Sequence, residues 1–547
     1  MKKGHFSRAG QRLATNLVIF AVGVAALTGA ASPAYSFGKP SLGMAKDATQ
    51  AIVARAPAGG GRGWSSGPTL TSRLSAPLRP LRPTSATASG MHLAAATSSG
   101  TAVTFDGLSN TASRLPADPD VAANGSYVVE IAEPDFQIFS TSGQPLTAPT
   151  ASNSLWAPMH NACSVASTGD WSQVLYDQPA GRWVYARSIH PTVGGVTYST
   201  ECLAVSQTSD PTGSWYLYSL GIGAGAPYSD YPQFAVWSNA YFLATNMWSG
   251  SGGSGTYEGD QVVAFDRAEM LAGQPVQTVR MTTTSRYETL VPATLEGGTL
   301  PPAATPEYLL GGPSDFESTG SSIEVFTVDV NFASPGASSW SGPYYVPVIP
   351  YNLKVCSAAG DACAAQPGTT VKLQAFTDNV MLPVGYRNLG AYQSITASFA
   401  VAHNNVDAIE WLELRNSGNG FGLYQQGVYS PTSAARYNES IAMDGAGDIA
   451  LAYSLSSSSI YPSLAYTGRA PTDPPGAMTL PETVLWSGTG SQTSTSRWGD
   501  ASYLAVAPDG CTFWYAGEYY PTSSASGWHT RIGSFQYPGC TVQGASR

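Results

Sequence analysis

The chain has 547 residues, 43% of them hydrophobic, with 26 Lys and Arg against 36 Asp and Glu. From residue 101 onward the balance is 15 basic to 35 acidic residues, and Lys354 and Lys372 are the only lysines. A surface this acidic repels phosphate backbones, which excludes nucleic acid as a partner, and it does not favour an anionic membrane.

In chain order, residues 1–36 read as a secretory signal. Lys2, Lys3, Arg8 and Arg12 form a positive end, Leu17–Ala31 is apolar, and small residues near Ala34 and Ser36 suit cleavage. That run is shorter than the roughly 20 residues needed to span a bilayer. No later stretch is long and apolar enough, so the expectation is a secreted protein, extracellular or periplasmic, with no membrane insertion. Residues 37–100 are rich in Pro, Ala, Ser and Gly, with seven basic residues against Asp47 alone. Such a segment builds no core and reads as a flexible or processed leader or linker. Its Gly63-Trp64-Ser65-Ser66-Gly67 matches the G-x-S-x-G pattern, but no strand precedes it and no helix follows it, so the match is accidental.

Residues 101–547 form a different unit, a β-propeller domain. DVAANGSYVVEI (120–131), WSQVLYDQPAGRWVYA (171–186), DYPQFAVWSNAYFLAT (230–245), ESIAMDGAGDIALAY (439–453) and RWGDASYLAVAPDGCTFWY (497–515) repeat one pattern. Each is a short apolar strand, a Gly- or Asn-bearing turn and a second apolar strand, usually led by an acidic residue. Starts at intervals of roughly 50–60 residues are on the scale of propeller blades. The repeats fall at 118–156, 170–220, 230–281, 290–351, 373–431, 436–490 and 497–538, with a short helix at Arg267–Leu271. The expectation is therefore an all-β propeller of seven blades, or six if the fourth and fifth repeats are miscounted. Ala102–Phe105 is expected to close the circle by completing the blade that contains Trp528–Gln536. A monomer is expected.

Six cysteines in an exported chain point to disulfides. All fifteen connectivities are formally open, and the local choice is Cys163–Cys202, Cys356–Cys363 and Cys511–Cys540. A thiolate metal site lacks C-x-x-C spacing. With no H-E-x-x-H, phosphate loop or dinucleotide fingerprint either, no metal and no cofactor are expected.

Propellers place sites at the channel mouth, where several blades each deliver a side chain. The residues opening the repeats are the candidates: Asp118, Asp120, Asp170, Asp230, Glu439 and Asp500, with Arg387, Arg436 and Arg497. Carboxylates around one pocket divide into proton donor and base or nucleophile, which glycosidic cleavage requires. Arginine offers paired hydrogen bonds to a carboxylate-bearing sugar. An Asp at a blade start also caps turns, and that structural role competes with the catalytic one for each residue. Asp444 and Asp448, in MDGAGD, read as turn residues. Aromatic side chains suit sugar faces, Trp498 beside Arg497 among them, although most fill the space between blades.

Two phrases carry a family resemblance. Ala117-Asp118-Pro119-Asp120 with Gly125-Ser126-Tyr127 resembles the first-blade opening of the arabinanase and xylosidase propellers, where an Asp at that place is the base. Ser209-Asp210-Pro211-Thr212-Gly213-Ser214-Trp215 resembles a turn of those proteins and a stretched sialidase Asp box, S-x-D-x-G-x-T-W, with one extra residue before the Gly. That turn is structural in both families, which implies a structural Asp210. As a whole, residues 101–540 are similar to secreted bacterial sialidase-like propellers without assigned activity, a likeness carried by RWGD at 497–500 and RIGSFQYPGC at 531–540. The chain departs from sialidases in lacking a regular Asp-box series and an F/Y-R-I-P motif, and from arabinanases in its blade count. The resulting expectation is a propeller that acts on extracellular polysaccharide or glycan by glycosidic hydrolysis. Asp120 would be base or nucleophile, Asp230 or Glu439 the acid with Asp500 nearby, and Arg387 and Arg497 substrate clamps. The alternative is a non-catalytic carbohydrate- or protein-binding propeller.

Overall fold

The computed structural model describes residues 101–540, apart from 166–170, 194–195, 225–227, 250–254, 284–288, 313–318, 357–361 and 378, together with 41–43 and 52–53. The expected signal segment and nearly all of the leader, the G-x-S-x-G match included, lie outside the described residues, as does Asp170.

Seven antiparallel blades follow one another. Their innermost strands are Asp120–Ala123, Trp171–Asp177, Tyr228–Val236, Val291–Leu295, Val384–Asn388, Ala435–Met443 and Tyr503–Val506. Each of these strands packs on the next, and the last returns to the first, so the inner strands form a closed ring. In blade 6 the order is Ala435–Met443, Ile449–Ser457, Ile460–Arg469 and Leu480–Trp486, each strand pairing with its successor. The other blades repeat that plan because alternating apolar residues give each sheet two faces to bury, and a neighbouring blade covers each one. Trp156, Trp183, Trp237, Trp411, Trp498 and Trp528 are the bulkiest fully buried side chains. Their size matches a wedge that widens away from the axis.

The blade count was ambiguous in the sequence for a structural reason. The inner strands of blades 4 and 5 pair in parallel, Ala293 with Val384 and Leu295 with Tyr386, which fuses the two blades into one eight-stranded sheet. Two pieces of the leader add to outer edges: Ser41–Gly43 pairs with Arg280–Thr282 of blade 3, and Ile52–Val53 with Tyr216–Leu217 of blade 2. The expected short helix stands at Arg267–Leu271, with the Asp266 carboxylate accepting the N–H groups of Ala268 and Glu269.

Closure follows the expected route. Thr101–Ser109 is the outermost strand of blade 7, pairing antiparallel with His529–Phe535. Phe105 packs on Phe139 of blade 1 and Trp514 of blade 7, with ring centroids 5.1 and 6.3 Å away. The buried Glu130 carboxylate accepts the Leu108 N–H at 2.8 Å, which ties the closing strand to blade 1. All three expected disulfides are present.

Between blades 4 and 5 the chain makes a long excursion carrying the Cys356–Cys363 bridge and a small hairpin, Ala362–Ala364 with Leu373–Gln374. It reaches across to the segment that leads into blade 7. Gln366 exchanges side-chain bonds with the backbone of Gln492 (2.9 and 3.0 Å), and Gln374 N–H donates to Ser496 O at 2.9 Å. Ala364, Leu373 and Ala375 pack in one cluster with Ala117, Tyr437, Trp498 and Tyr520. The excursion is thus a cap anchored over the junction of blades 6, 7 and 1.

The closing strand leaves no room at Gly107, where an added Cβ would lie 2.2 Å from Glu130 Oε2 and 2.5 Å from Thr530 Oγ1. Gly107→Ala is expected to destabilise the protein by about 1–3 kcal/mol through overpacking. Gly125→Ala, which meets nothing within 4 Å, is expected to be near neutral. Denaturant melts of the two variants check this, and equal midpoints would contradict the closure geometry.

Candidate functional site

Several inner strands share a backbone feature in their first residues or in the segment that leads to them. Asp118 (φ 45°), Tyr231 (φ 49°), Thr289 (φ 61°), Phe376 (φ 49°) and Asn438 (φ 47°) are non-glycine residues in the left-handed region. Each such residue costs on the order of 1–3 kcal/mol and persists only where its surroundings over-determine it. Bonds between blades, three of them to a neighbour and one across the channel from blade 3 to blade 7, supply the constraint at four of them. Asp118 Oδ1 accepts the Asp500 N–H at 2.5 Å, and Tyr231 OH donates to Asp500 O at 3.0 Å. Thr289 and Asn246 exchange two bonds (2.8 and 3.0 Å), and Asn438 Nδ2 donates to Trp498 O at 2.9 Å.

This network gathers charge at one end of the channel. Arg497 is ion-paired with Asp500 and lies over the Phe376 ring, 5.4 Å from its centroid. Burial works against the Arg497 charge, but the carboxylates of Asp500, Asp118 and Asp230 outweigh it and hold its pKa above the usual value. Asp118 is pushed up to about 8, first by burial and then by the negative Asp500, with Arg497 and the Asp500 N–H pulling the other way. Glu518, buried beneath, accepts the N–H groups of Gly499 (3.3 Å) and Ala117 (3.4 Å). Burial, then the charge of Asp118, pushes it up to about 8. Asp118, Trp171, Asp230, Tyr231, Phe376 and Arg497 are each only half-buried. The Trp171 and Tyr231 rings tilt against each other with centroids 4.8 Å apart. Carboxyls with one proton-holding member, a guanidinium and aromatic faces thus share an accessible rim.

The sequence-derived candidates divide sharply. Asp230, Asp500 and Arg497 are brought together here. Asp120 is 5% exposed, lower in the channel wall, with burial raising its pKa against bonds from Val174, Val121 and Gln173. Glu439 is fully buried and pushed up to about 8 by burial, its own backbone N–H opposing and Asp407 adding to the rise. Neither reaches a surface where a glycan could touch it. Arg387 lies at the opposite end of the inner strands, donating to Met443 O at 2.6 Å and facing Glu296 and Asp444, while burial lowers its pKa. Arg436 is buried in an ion pair with Glu482 at 2.7 Å, beside Tyr429 and Tyr453. Trp498 is 1% exposed, stacked on Tyr520 and donating to Ser454 Oγ at 3.1 Å, so it fills the space between blades and offers no face to a sugar. Asp210 Oδ1 takes the Thr212 N–H at 2.9 Å, and Asp444 Oδ1 takes those of Ala446 and Asp448 at 2.9 Å, both as turn residues.

Asp118, Glu518, Tyr231 and Phe376 are what sequence reasoning missed or undervalued. Asp118 stood in the same motif as Asp120, and Glu518 is a lone carboxylate in the aromatic run FWYAGEYY, a signal of a buried charge with a purpose. Nothing in the sequence pointed to Phe376. Lower in the channel, Ala122, Leu175, Thr294, Glu296, Tyr503 and Ala505 line a passage of about 40 Å³, enough for a few waters and too narrow for a sugar ring. Among the described residues there is no group of three or more His, Cys, Asp or Glu that could hold a metal ion. No helix among them is long and apolar enough to cross a membrane.

No family model matches the chain, and no curated protein matches it. Among solved structures it is similar to a Dyadobacter fermentans protein of unknown function, at 12% identity, 67% of this chain, 94% of that one and a TM-score of 0.35. It is also similar to a Hadza microbial sialidase (8%, 76% and 74%, 0.38) and to an endo-arabinase of Bacteroides thetaiotaomicron (12%, 55% and 93%, 0.26). The sequence resemblances to sialidase-like and arabinanase propellers therefore recur among solved structures. The seven-bladed ring itself rests on the strand pairing above, and no chemistry is taken from these likenesses.

Two outcomes are expected. Folding raises the pKa of Glu130, Glu201 and Glu296 to about 7, and that of Asp118, Glu439 and Glu518 to about 8. Unfolded carboxyls titrate near about 4, so between those values the folded state binds more protons. Its stability contribution is complete below about pH 4 and is lost as pH rises through 8. The melting temperature should therefore fall from pH 5 to pH 9, and a rise over that window would refute the burial of these groups. Arg497→Ala, which leaves the rim carboxylates without their counter-charge, should cost about 3 kcal/mol. Its penalty should be larger at pH 8 than at pH 5, read by denaturant melts at both values.

Proposed function

We propose that the protein is a secreted propeller that hydrolyses glycosidic bonds of an extracellular polysaccharide or glycan at the rim formed by Asp118, Asp230, Arg497 and Asp500. One arrangement carries this reading: Asp118 accepts the Asp500 N–H at 2.5 Å beside the Arg497–Asp500 pair, where burial and the Asp500 charge push its pKa up to about 8, within the field that links Asp230 to Arg497. Carboxyls whose environments push their proton affinities apart are what glycosidic cleavage needs, one to protonate the leaving oxygen and one to act on the sugar from the other side. Asp118 takes the donor role and Asp230 the opposing one, in place of the buried Asp120 and Glu439. Arg497 and Asp500 hold the geometry, and the Trp171–Tyr231 and Phe376 rings offer faces to sugar. The three disulfides support an oxidising destination, extracellular or periplasmic, and the protein acts as a monomer.

A second reading, recognition without catalysis, draws on the fact that Asp500 and Arg497 already satisfy each other. Sugar release from a panel of plant, microbial and host polysaccharides separates the two. Hydrolysis predicts release by the wild type and a loss of about 10²–10⁴-fold in Asp118→Asn at an unchanged melting temperature. It also predicts wild-type activity that declines as pH passes 8 and the donor ionises. Undiminished activity in Asp118→Asn overturns the assignment of the donor. Retained binding to one polymer with no release across the panel moves the function to recognition.

A further inference from the structure

One row of side chains in blade 7 changes character as it nears the mouth. In Phe513–Tyr519, the second strand of that blade, Trp514 and Ala516 pack in one apolar cluster with Val121, Ala123 and Val128 of blade 1. Side chains two residues apart share a face of the sheet, so Glu518 continues this row. It is 2% exposed and forms no ion pair among the described residues. A buried carboxyl without a counter-charge is tolerated only where hydrogen bonds compensate it. The bonds that Glu518 accepts come from two distant parts of the chain.

Both fall on one oxygen. Glu518 Oε2 accepts the Ala117 N–H at 3.4 Å and the Gly499 N–H at 3.3 Å. Ala117 directly precedes Asp118, and Gly499 directly precedes Asp500. The far sides of the same two residues are held as well: Ala117 O accepts the Glu133 N–H at 3.0 Å, and Gly499 O accepts Asn438 Nδ2. An added Cβ at Gly499 would lie 3.2 Å from Asn438 Nδ2 and 3.8 Å from Glu518 Oε2, so this peptide is enclosed. One residue further on, Asp118 Oδ1 accepts the Asp500 N–H at 2.5 Å. The two segments are thus joined twice, by Glu518 at 117 and 499 and by Asp118 itself at 118 and 500.

We propose that Glu518 is the positioning residue of the rim, a buried clip that sets Asp118 against Asp500 through the two backbone N–H groups it accepts, without touching a ligand. The inference rests on the rim reading given above and adds what fixes the geometry from beneath. Asp118 has φ 45°, a conformation that its surroundings must enforce, and the clip immobilises the residue just before it. Burial and the charge of Asp118 push Glu518 up to about 8, so at pH 7 it is mainly protonated, and a glutamine reproduces its shape and its acceptor. A leucine is of similar size and accepts nothing.

The test compares full-length wild type, Glu518→Gln and Glu518→Leu at pH 7 by two readouts. Hydrogen exchange at residues 117–118 and 499–500 needs no substrate. Exchange there is expected to match the wild type in Glu518→Gln and to be about tenfold faster in Glu518→Leu, with residues 450–453 of blade 6 unchanged in both. If Glu518→Leu does not fold, Glu518→Asp, which retracts the carboxyl by one methylene, is read in its place. The second readout is dye release from cross-linked arabinan, xylan, peptidoglycan and mucin. On a polymer that the wild type degrades, kcat is expected to fall about 10²-fold in Glu518→Leu, with KM within about twofold, and to be restored in Glu518→Gln. Exchange in Glu518→Leu equal to the wild type, Glu518→Gln as impaired as Glu518→Leu, or faster exchange with an unchanged kcat overturns the proposal. Degradation whose kcat ignores Glu518 keeps hydrolysis and discards the clip. Acceptor-dependent exchange in a protein that degrades none of the four polymers keeps the clip and discards hydrolysis.

Discussion

Ring closure between the first and last blades is the constraint on which the rest of this structure depends. Thr101–Ser109 supplies the outer strand of blade 7, and Glu130 of blade 1 holds that strand by its Leu108 N–H. The rim site lies on the same seam. Asp118 precedes blade 1 while Arg497, Asp500 and Glu518 belong to blade 7, and the Asp118–Asp500 contact spans 382 residues. Closing the ring and assembling the charged rim are one event, because the hydrogen bonds that register the two blades are made by the carboxyls of the site.

The same economy explains the many buried acids. An acidic chain that kept every carboxylate ionised at its surface would carry strong self-repulsion. Here Glu130, Asp260 and Glu518 sit inside and accept backbone N–H groups, and Glu439 is buried near Asp407, with burial raising the proton affinity of all four. At the mouth the strain of left-handed residues is held by bonds to other blades, one neighbouring and one across the channel, which stiffens the rim beyond what its strands supply. A stiff rim keeps charged groups in place without reorganisation when a ligand arrives.

Strands, turns, the closing strand and the disulfides were legible because each is written locally, in period-two alternation, Gly and Asn turn positions and short cysteine spacings. Blades 4 and 5 were harder, since their parallel junction is a contact between repeats that no local pattern encodes. The site was legible only in outline. Asp118 and Asp120 share one motif, but depth along the channel decides which meets solvent, and depth is a property of the assembled ring. Likewise, Trp498 and Arg497 are adjacent in sequence, yet one points into the seam between blades and the other to the rim. Phe376 enters the site only because the excursion after blade 4 crosses to blade 7.

The location of the rim on the seam also bears on how the protein is made. During synthesis Asp118 emerges early and Glu518 is among the last residues to appear, so the intervening six blades form around an incomplete centre. A nascent chain, or one truncated before blade 7, carries the aromatic faces and half of the carboxyls but no Arg497 to hold them. The charged rim is complete only after the final blade has joined the first.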